Sequence, residues 1–148
     1  MYGADITATT MWNTCAGLKI HASANYSLQY ALDVTDPDSK NYRHQIPYTP
    51  RHSGSGSLIF ETKWLNLSYR ITASGKRYDK NQILPANEIP SYADHGLSLN
   101  REFIFGKIHG YRMKLSLDVL NLADNNYEII HFYPMPGRSY RLTLKFNY

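Results

Sequence analysis

The sequence holds one cysteine, Cys15, in a predicted turn, so no internal disulfide and no cysteine-based metal site can form. Long hydrophobic runs are missing too. No stretch approaches the roughly 18 consecutive apolar residues of a membrane helix, and the opening MYGADITATT lacks the basic-then-apolar layout of a signal peptide. Lys and Arg never form a run that tracks a phosphate backbone. A net charge of +4 and a pI near 9.1 are only mildly basic, which argues against nucleic acid as a partner. The histidines His21, His44, His52, His95, His109 and His131 are scattered, with no His-Glu-x-x-His and no two-residue ligand spacing, so no metal site is expected. The GSGS at 54–57 precedes a strand rather than a helix and lacks the context of a phosphate loop. No catalytic constellation stands out, no cofactor is expected, and the chain reads as a non-enzyme. Its 148 residues suffice for one ordinary core, and nothing divides them into two domains.

What the sequence does contain is aromatic residues in amphipathic order. With 13 Tyr, 14% aromatic residues and 43% hydrophobic residues, yet a mean hydropathy of -0.47, it is ring-rich and hydrophilic on average. Aromatic amphipathic strands give that balance. The chain ends in RSYRLTLKFNY, where Tyr140, Leu142, Leu144, Phe146 and Tyr148 are apolar or aromatic and the residues between them are polar. That is a strand with one greasy and one wet face. The same period of two runs from Leu18 through Ile20, Ala22, Ala24, Tyr26, Leu28 and Tyr30 to Leu32. It recurs at Leu65, Leu67, Tyr69, Ile71 and Ala73, and again at Tyr111, Met113, Leu115, Leu117 and Val119. Weaker versions lie at Tyr2 to Trp12, Arg51 to Glu61 and Tyr92 to Phe103. The expectation is seven antiparallel strands and no helix.

Short turns near 13–17, 61–64 and 105–110 alternate with long connections near 34–50, 75–91 and 122–137. Successive antiparallel strands swap ends, so the short turns gather at one end of the sheet and the long loops at the other. Membrane-spanning β-barrels have this asymmetry, and their alternating strands are nearly invisible to hydropathy averages. A strand of about 11 residues at ~3.3 Å each spans roughly 36 Å, and a tilt of about 45° projects that to roughly 25 Å, the height of a barrel's apolar band. The expected fold is therefore all-β: an antiparallel up-and-down transmembrane β-barrel, here a partial barrel of about seven strands. Its apolar sets face outward and its polar sets line the concave side. Trp12, Trp64, Tyr111, Tyr140 and Tyr148 suit interfacial girdles. Asp118 and Arg141 are placed to meet across the lumen.

At the carboxyl end the residues resemble a family. VLNLADNNYEIIHFYPMPGRSYRLTLKFNY (119–148) is similar to the end of TonB-dependent outer-membrane receptors, with an Asn-Leu-x-Asp-x-x-Tyr segment after the penultimate strand and a Pro-Gly-Arg opening the last one. Here these are Asn121, Leu122, Asp124 and Tyr127, then Pro136, Gly137 and Arg138, then the terminal Tyr148. Upstream, Tyr48, Pro50 and His52 resemble the family's Tyr-x-Pro-x-His strand re-entry.

The resemblance implies active uptake of a scarce nutrient complex, such as an iron chelate or cobalamin, across the outer membrane of a Gram-negative bacterium. It implies candidate ligand contacts in the loops: Tyr42, Arg43, His44 and Tyr48 in the first, Lys76, Arg77 and Tyr78 in the second, and His131, Phe132 and Tyr133 in the third. It makes Tyr140, Leu142, Leu144, Phe146 and Tyr148 a signal for the barrel-assembly machinery. Outer-membrane lipid is the expected surrounding, and the TonB complex is reached through an N-terminal part. Such receptors resemble a barrel of about 22 strands with a plug, so residues 1–148 are expected to be the C-terminal segment of one, without plug domain or signal peptide. Two alternatives stay open. One is a small soluble β-barrel binding a ligand inside, and the other an eight-stranded membrane barrel with a structural role.

Overall fold

Every backbone N–H and C=O in an alternating sequence must find its partner on a neighbouring strand, and a computed structural model shows how this chain does so over residues 1–14, 17–105 and 111–147, which it describes. The strands are β1 (Tyr2–Asn13), β2 (Lys19–Tyr30), β3 (His52–Glu61), β4 (Asn66–Ser74), β5 (Arg77–Tyr78), β6 (Glu88–Ile89), β7 (Tyr92–Phe105), β8 (Tyr111–Leu120), β9 (Glu128–Ile130), β10 (Tyr133–Pro134) and β11 (Ser139–Asn147). The seven long ones form a single antiparallel sheet in the order β1-β2-β3-β4-β7-β8-β11. Chain order is kept, so the up-and-down expectation holds. β1 and β11 are the two edges and do not pair with each other. The sheet is an open, partial barrel. No described helix is long and apolar enough to cross a membrane.

Register decides which residues share a face, because direct cross-strand partners point the same way. One row runs Trp12, Ile20, Phe60, Leu67, Leu99, Leu117, Leu142 through all seven strands. A neighbouring row on the opposite face runs Asn13, Lys19, Glu61, Asn66, Asn100, Ser116, Thr143. The two faces segregate as the alternation requires. His52 and His95 stand on the apolar face, where each ring Nδ1 meets a tyrosine hydroxyl at 2.6 Å, that of Tyr26 and Tyr69 respectively. A polar ring on an apolar surface is thereby satisfied locally.

Burial is the reverse of a globular domain's. Among the described residues only Ala31 and Ile89 are buried hydrophobics, while Trp12, Tyr140, Leu142, Leu144 and Phe146 are more than half exposed. A soluble barrel would bury its apolar face inside a closed sheet, and no such closure is present here.

Several expectations are corrected in detail. Leu18 and Leu32 lie outside β2, and Leu32 instead forms an isolated bridge with Gln45. The GSGS stretch lies inside β3, paired on both sides, rather than before a strand. Asp118 and Arg141 do meet, but as register partners on adjacent strands and not across a lumen. The turn at 61–64 is held by Thr62, whose hydroxyl accepts from the Leu65 N–H at 3.0 Å and donates to its carbonyl at 2.7 Å. Cys15, His109, most of the 105–110 turn and Tyr148 lie outside the described residues.

Candidate functional site

Three long loops meet at one end of the sheet, and the second binds the other two. In the first, Asp33 and Thr35 form an Asx turn in which the Thr35 N–H donates to the Asp33 carboxylate at 3.0 Å. That bond holds the Asp33 carboxyl below its usual value. Its other oxygen accepts from Asn81 of the second loop at 2.9 Å, and His44 Nδ1 lies 2.8 Å from the Asn81 carbonyl. The Tyr48 N–H donates to the Tyr78 carbonyl at 2.8 Å. First and second loops are thus tied at three places.

The third loop is fastened by charge. Arg77 is 4% exposed and donates through Nη2 to the carbonyls of Glu128 and Ile129 at 2.7 and 2.9 Å. Its guanidinium carbon lies 5.4 Å from the Tyr92 ring centroid, within cation–π range. His131 Nδ1 lies 3.0 Å from Asp79, and its ring stacks on Phe132 at 3.9 Å. Within the second loop Glu88 takes both Lys76, at 3.4 Å, and the Tyr78 hydroxyl, at 3.2 Å. Hydrogen bonding to that carboxylate raises the Lys76 pKa above its usual value.

Of the sequence-predicted contacts, then, His44, Lys76, Arg77, Tyr78 and His131 are engaged with neighbouring loops or with each other's partners. Arg43, Tyr48, Phe132 and Tyr133 are exposed, and Arg43 rests 5.6 Å over the Tyr42 ring. Arg43, Tyr48 and Phe132 also take positive φ values of 62°, 60° and 67°, which the surrounding ties impose on residues that rarely adopt them. Asp33, Asp79, Asn81, Glu88 and Glu128 do much of the fastening, and sequence reasoning passed over them. Their only signal is composition, since loop contacts carry no period.

The Asn121 to Arg138 segment forms a clasp between β8 and β11. Asn121 and Asp124 adopt φ of 48° and 55°, the left-handed region that Asn and Asp tolerate better than most residues. The Asn121 side chain is buried. It donates to the carbonyls of Asn125, at 2.8 Å, and Pro136, at 3.1 Å, and accepts from the Asn125 N–H at 2.9 Å. Asp124 accepts from the Arg138 N–H at 2.7 Å. A Cβ on Gly137 would sit 3.0 Å from that same Asp124 oxygen. Tyr127 stacks on Tyr92 at 4.4 Å, and burial, with help from Asp94, pushes its hydroxyl above the usual tyrosine range.

On the polar face a hollow of about 230 Å³ is lined by Ser68, Arg70, Ser98, Asp118 and Arg141. Asp118 accepts from Ser98 at 2.5 Å and from Arg141 Nε at 3.1 Å. Arg70 lies over Gly96, where a Cβ would come within 2.6 Å of its Nε. The chemistry available there is hydrogen bonding and charge, suited to holding a polar surface. Among the described residues no group of three or more His, Cys, Asp or Glu could hold a metal.

A family model described as TonB dependent receptor-like, beta-barrel matches residues 1–122. No curated protein matches the chain. The matched stretch covers β1 through β8 and the start of the clasp. β11 is joined to it by its ladder with β8.

Proposed function

Because this chain belongs to the TonB-dependent receptor-like β-barrel family, we propose that it supplies the C-terminal strands of an outer-membrane receptor for active uptake of a scarce nutrient complex, such as an iron chelate or cobalamin. The family's members are outer-membrane transporters of Gram-negative bacteria rather than enzymes. The observation that carries the reading is the apolar row from Trp12 to Leu142, which crosses seven strands without a polar residue and ends at two unpaired edges. In lipid each unsatisfied backbone group costs several kcal/mol. Further strands of the same receptor would pair β1 and β11.

In this reading the loop end receives the ligand. Tyr42, Arg43, Tyr48, Phe132 and Tyr133 offer ring area and charge to it, while His44, Lys76, Arg77, Tyr78 and His131 hold the loops that present them. Energy arrives from TonB through an N-terminal part of the receptor. The alternating apolar residues of β11, Tyr140, Leu142, Leu144 and Phe146, with Tyr148 after them, serve the barrel-assembly machinery. Accumulation of labelled iron chelates and labelled cobalamin tests the proposal in cells with and without the receptor. One labelled class should enter only when the receptor and the proton-motive force are both present. Equal accumulation of every class in receptor-deleted cells would contradict it.

A further inference from the structure

β11 is an edge strand, and its polar side holds Ser139, Arg141, Thr143, Lys145 and Asn147: cations, but no acid. Arg141 is answered from within the sheet, since its Nε donates to the Asp118 carboxylate of β8 at 3.1 Å. Lys145 is not. Its direct partner across the ladder is Lys114 of β8, and like charges placed directly opposite each other repel.

The neighbouring positions do not relieve the two lysines. On its other side Lys114 faces Glu102 of β7, but Arg112 Nη1 already lies 3.7 Å from that carboxylate. The flanking rows on the polar face are Thr143, Ser116, Asn100 and Asn147, Arg112, Ile104, which add a cation and no acid. Glu102 is thus the one carboxylate set against Arg112, Lys114 and Lys145 in these rows. Among the described residues neither Lys114 nor Lys145 pairs with a carboxylate.

The far side of β11 is open. Its free backbone groups call for another strand, and a strand laid there puts one residue directly opposite Lys145, with Cβ atoms about 5 Å apart. A slip of that strand by two residues keeps every side chain on its own face. Tyr140, Leu142, Leu144 and Phe146 are all large and apolar, so they tell such slips apart poorly. A charge does so better. We infer that the strand pairing with β11 carries an aspartate or glutamate directly opposite Lys145 on the polar face, and that this pair fixes the register of the join. A carboxylate accepts a charge-assisted hydrogen bond from the Lys145 ammonium and offsets its repulsion from Lys114. The inference rests on the proposal that further strands of the receptor pair β11.

The test is zero-length cross-linking of the receptor that carries this segment, folded in vesicles and treated with a water-soluble carbodiimide, which joins an amine to a carboxylate touching it. Peptide mass spectrometry reads the links. Lys76 and Glu88, 3.4 Å apart, should link and serve as the internal standard. Lys145 should link to one Asp or Glu in an alternating strand outside residues 1–148. In a Lys114→Met background, Lys145→Glu should lower the ratio of folded to unfolded receptor at a fixed urea concentration by about tenfold. Replacing the linked carboxylate by Lys should restore that ratio. Lys145 linked only to Glu102 or to the terminal carboxylate, or left unlinked while Lys76 links, overturns the pairing and leaves the membrane reading intact. A link to a segment without alternation, or a ratio unchanged by Lys145→Glu, overturns it equally. A receptor that never reaches its heat-sensitive folded form in any vesicle overturns the membrane reading and the pairing with it.

Discussion

The left-handed residues of the clasp are where single side chains matter most. Asp124 holds the Arg138 N–H at 2.7 Å while sitting at φ 55°. Asp124→Ala removes the acceptor and places a residue less tolerant of that φ there, at an expected cost of about 1–3 kcal/mol. Asp124→Asn should keep most of the stability. Gly137→Ala should lose a comparable amount, because its Cβ meets the same oxygen at 3.0 Å. The midpoint of thermal conversion from folded to unfolded gel mobility reads both, and a Gly137→Ala midpoint equal to wild type would refute the clasp. Asp33 offers a pH test. Its folded pKa is depressed below the ordinary 3.8, so the stability it gives is present above the unfolded value and is lost as pH falls through the folded one. The tie to Asn81 should therefore loosen only at pH below the ordinary 3.8. Nicking of the first two loops by an acid protease, compared at each pH with Asp33→Asn, should converge between the two proteins as pH drops. A constant ratio would count against it. At this scale the sequence was only partly legible. Asn121, Asp124 and Gly137 stood out through the family resemblance, but the backbone conformation that requires them emerges only once β8 and β11 are joined.

Strands were the most legible elements, because a period of two is written directly into residue type. β2, β4, β8 and β11 begin and end within a residue or two of where the alternation does. β5, β6, β9 and β10 were not legible, since strands of two or three residues carry no period; they pair within the loops that Arg77, Glu88 and Glu128 fasten. The two faces make an element-scale prediction from adjacent residues. Leu117 lies on the apolar row and Ser116 on the polar one. Leu117→Arg should cost about 2–4 kcal/mol of folding stability in a bilayer, the range for a charge facing lipid near its midplane, whereas Ser116→Arg should be far milder. Denaturant titration of the receptor in vesicles measures both. Equal costs, or a larger cost at Ser116, would mean that the faces are assigned the wrong way round.

For the whole molecule, the fold class and the partial closure followed from strand count and loop lengths, whereas the weave of the long loops did not, because contacts between distant loops leave no local pattern. The sheet is a partial β-barrel, and the central proposal is that its apolar residues face lipid and its polar residues face water. Such a slice has almost no core of its own. With only Ala31 and Ile89 buried among its described hydrophobic residues, its apolar surface must be covered by something other than itself. The most direct measurement is thiol labelling of the receptor in intact outer membranes, in a Cys15→Ser background, with single cysteines placed at Asn100, Ser116 and Thr143 and at Leu99, Leu117 and Leu142. The first three should react with a water-soluble maleimide and the last three only with a lipid-soluble one, alternating residue by residue along β7, β8 and β11. Water-soluble labelling at Leu99, Leu117 and Leu142, or labelling without alternation, would contradict the account.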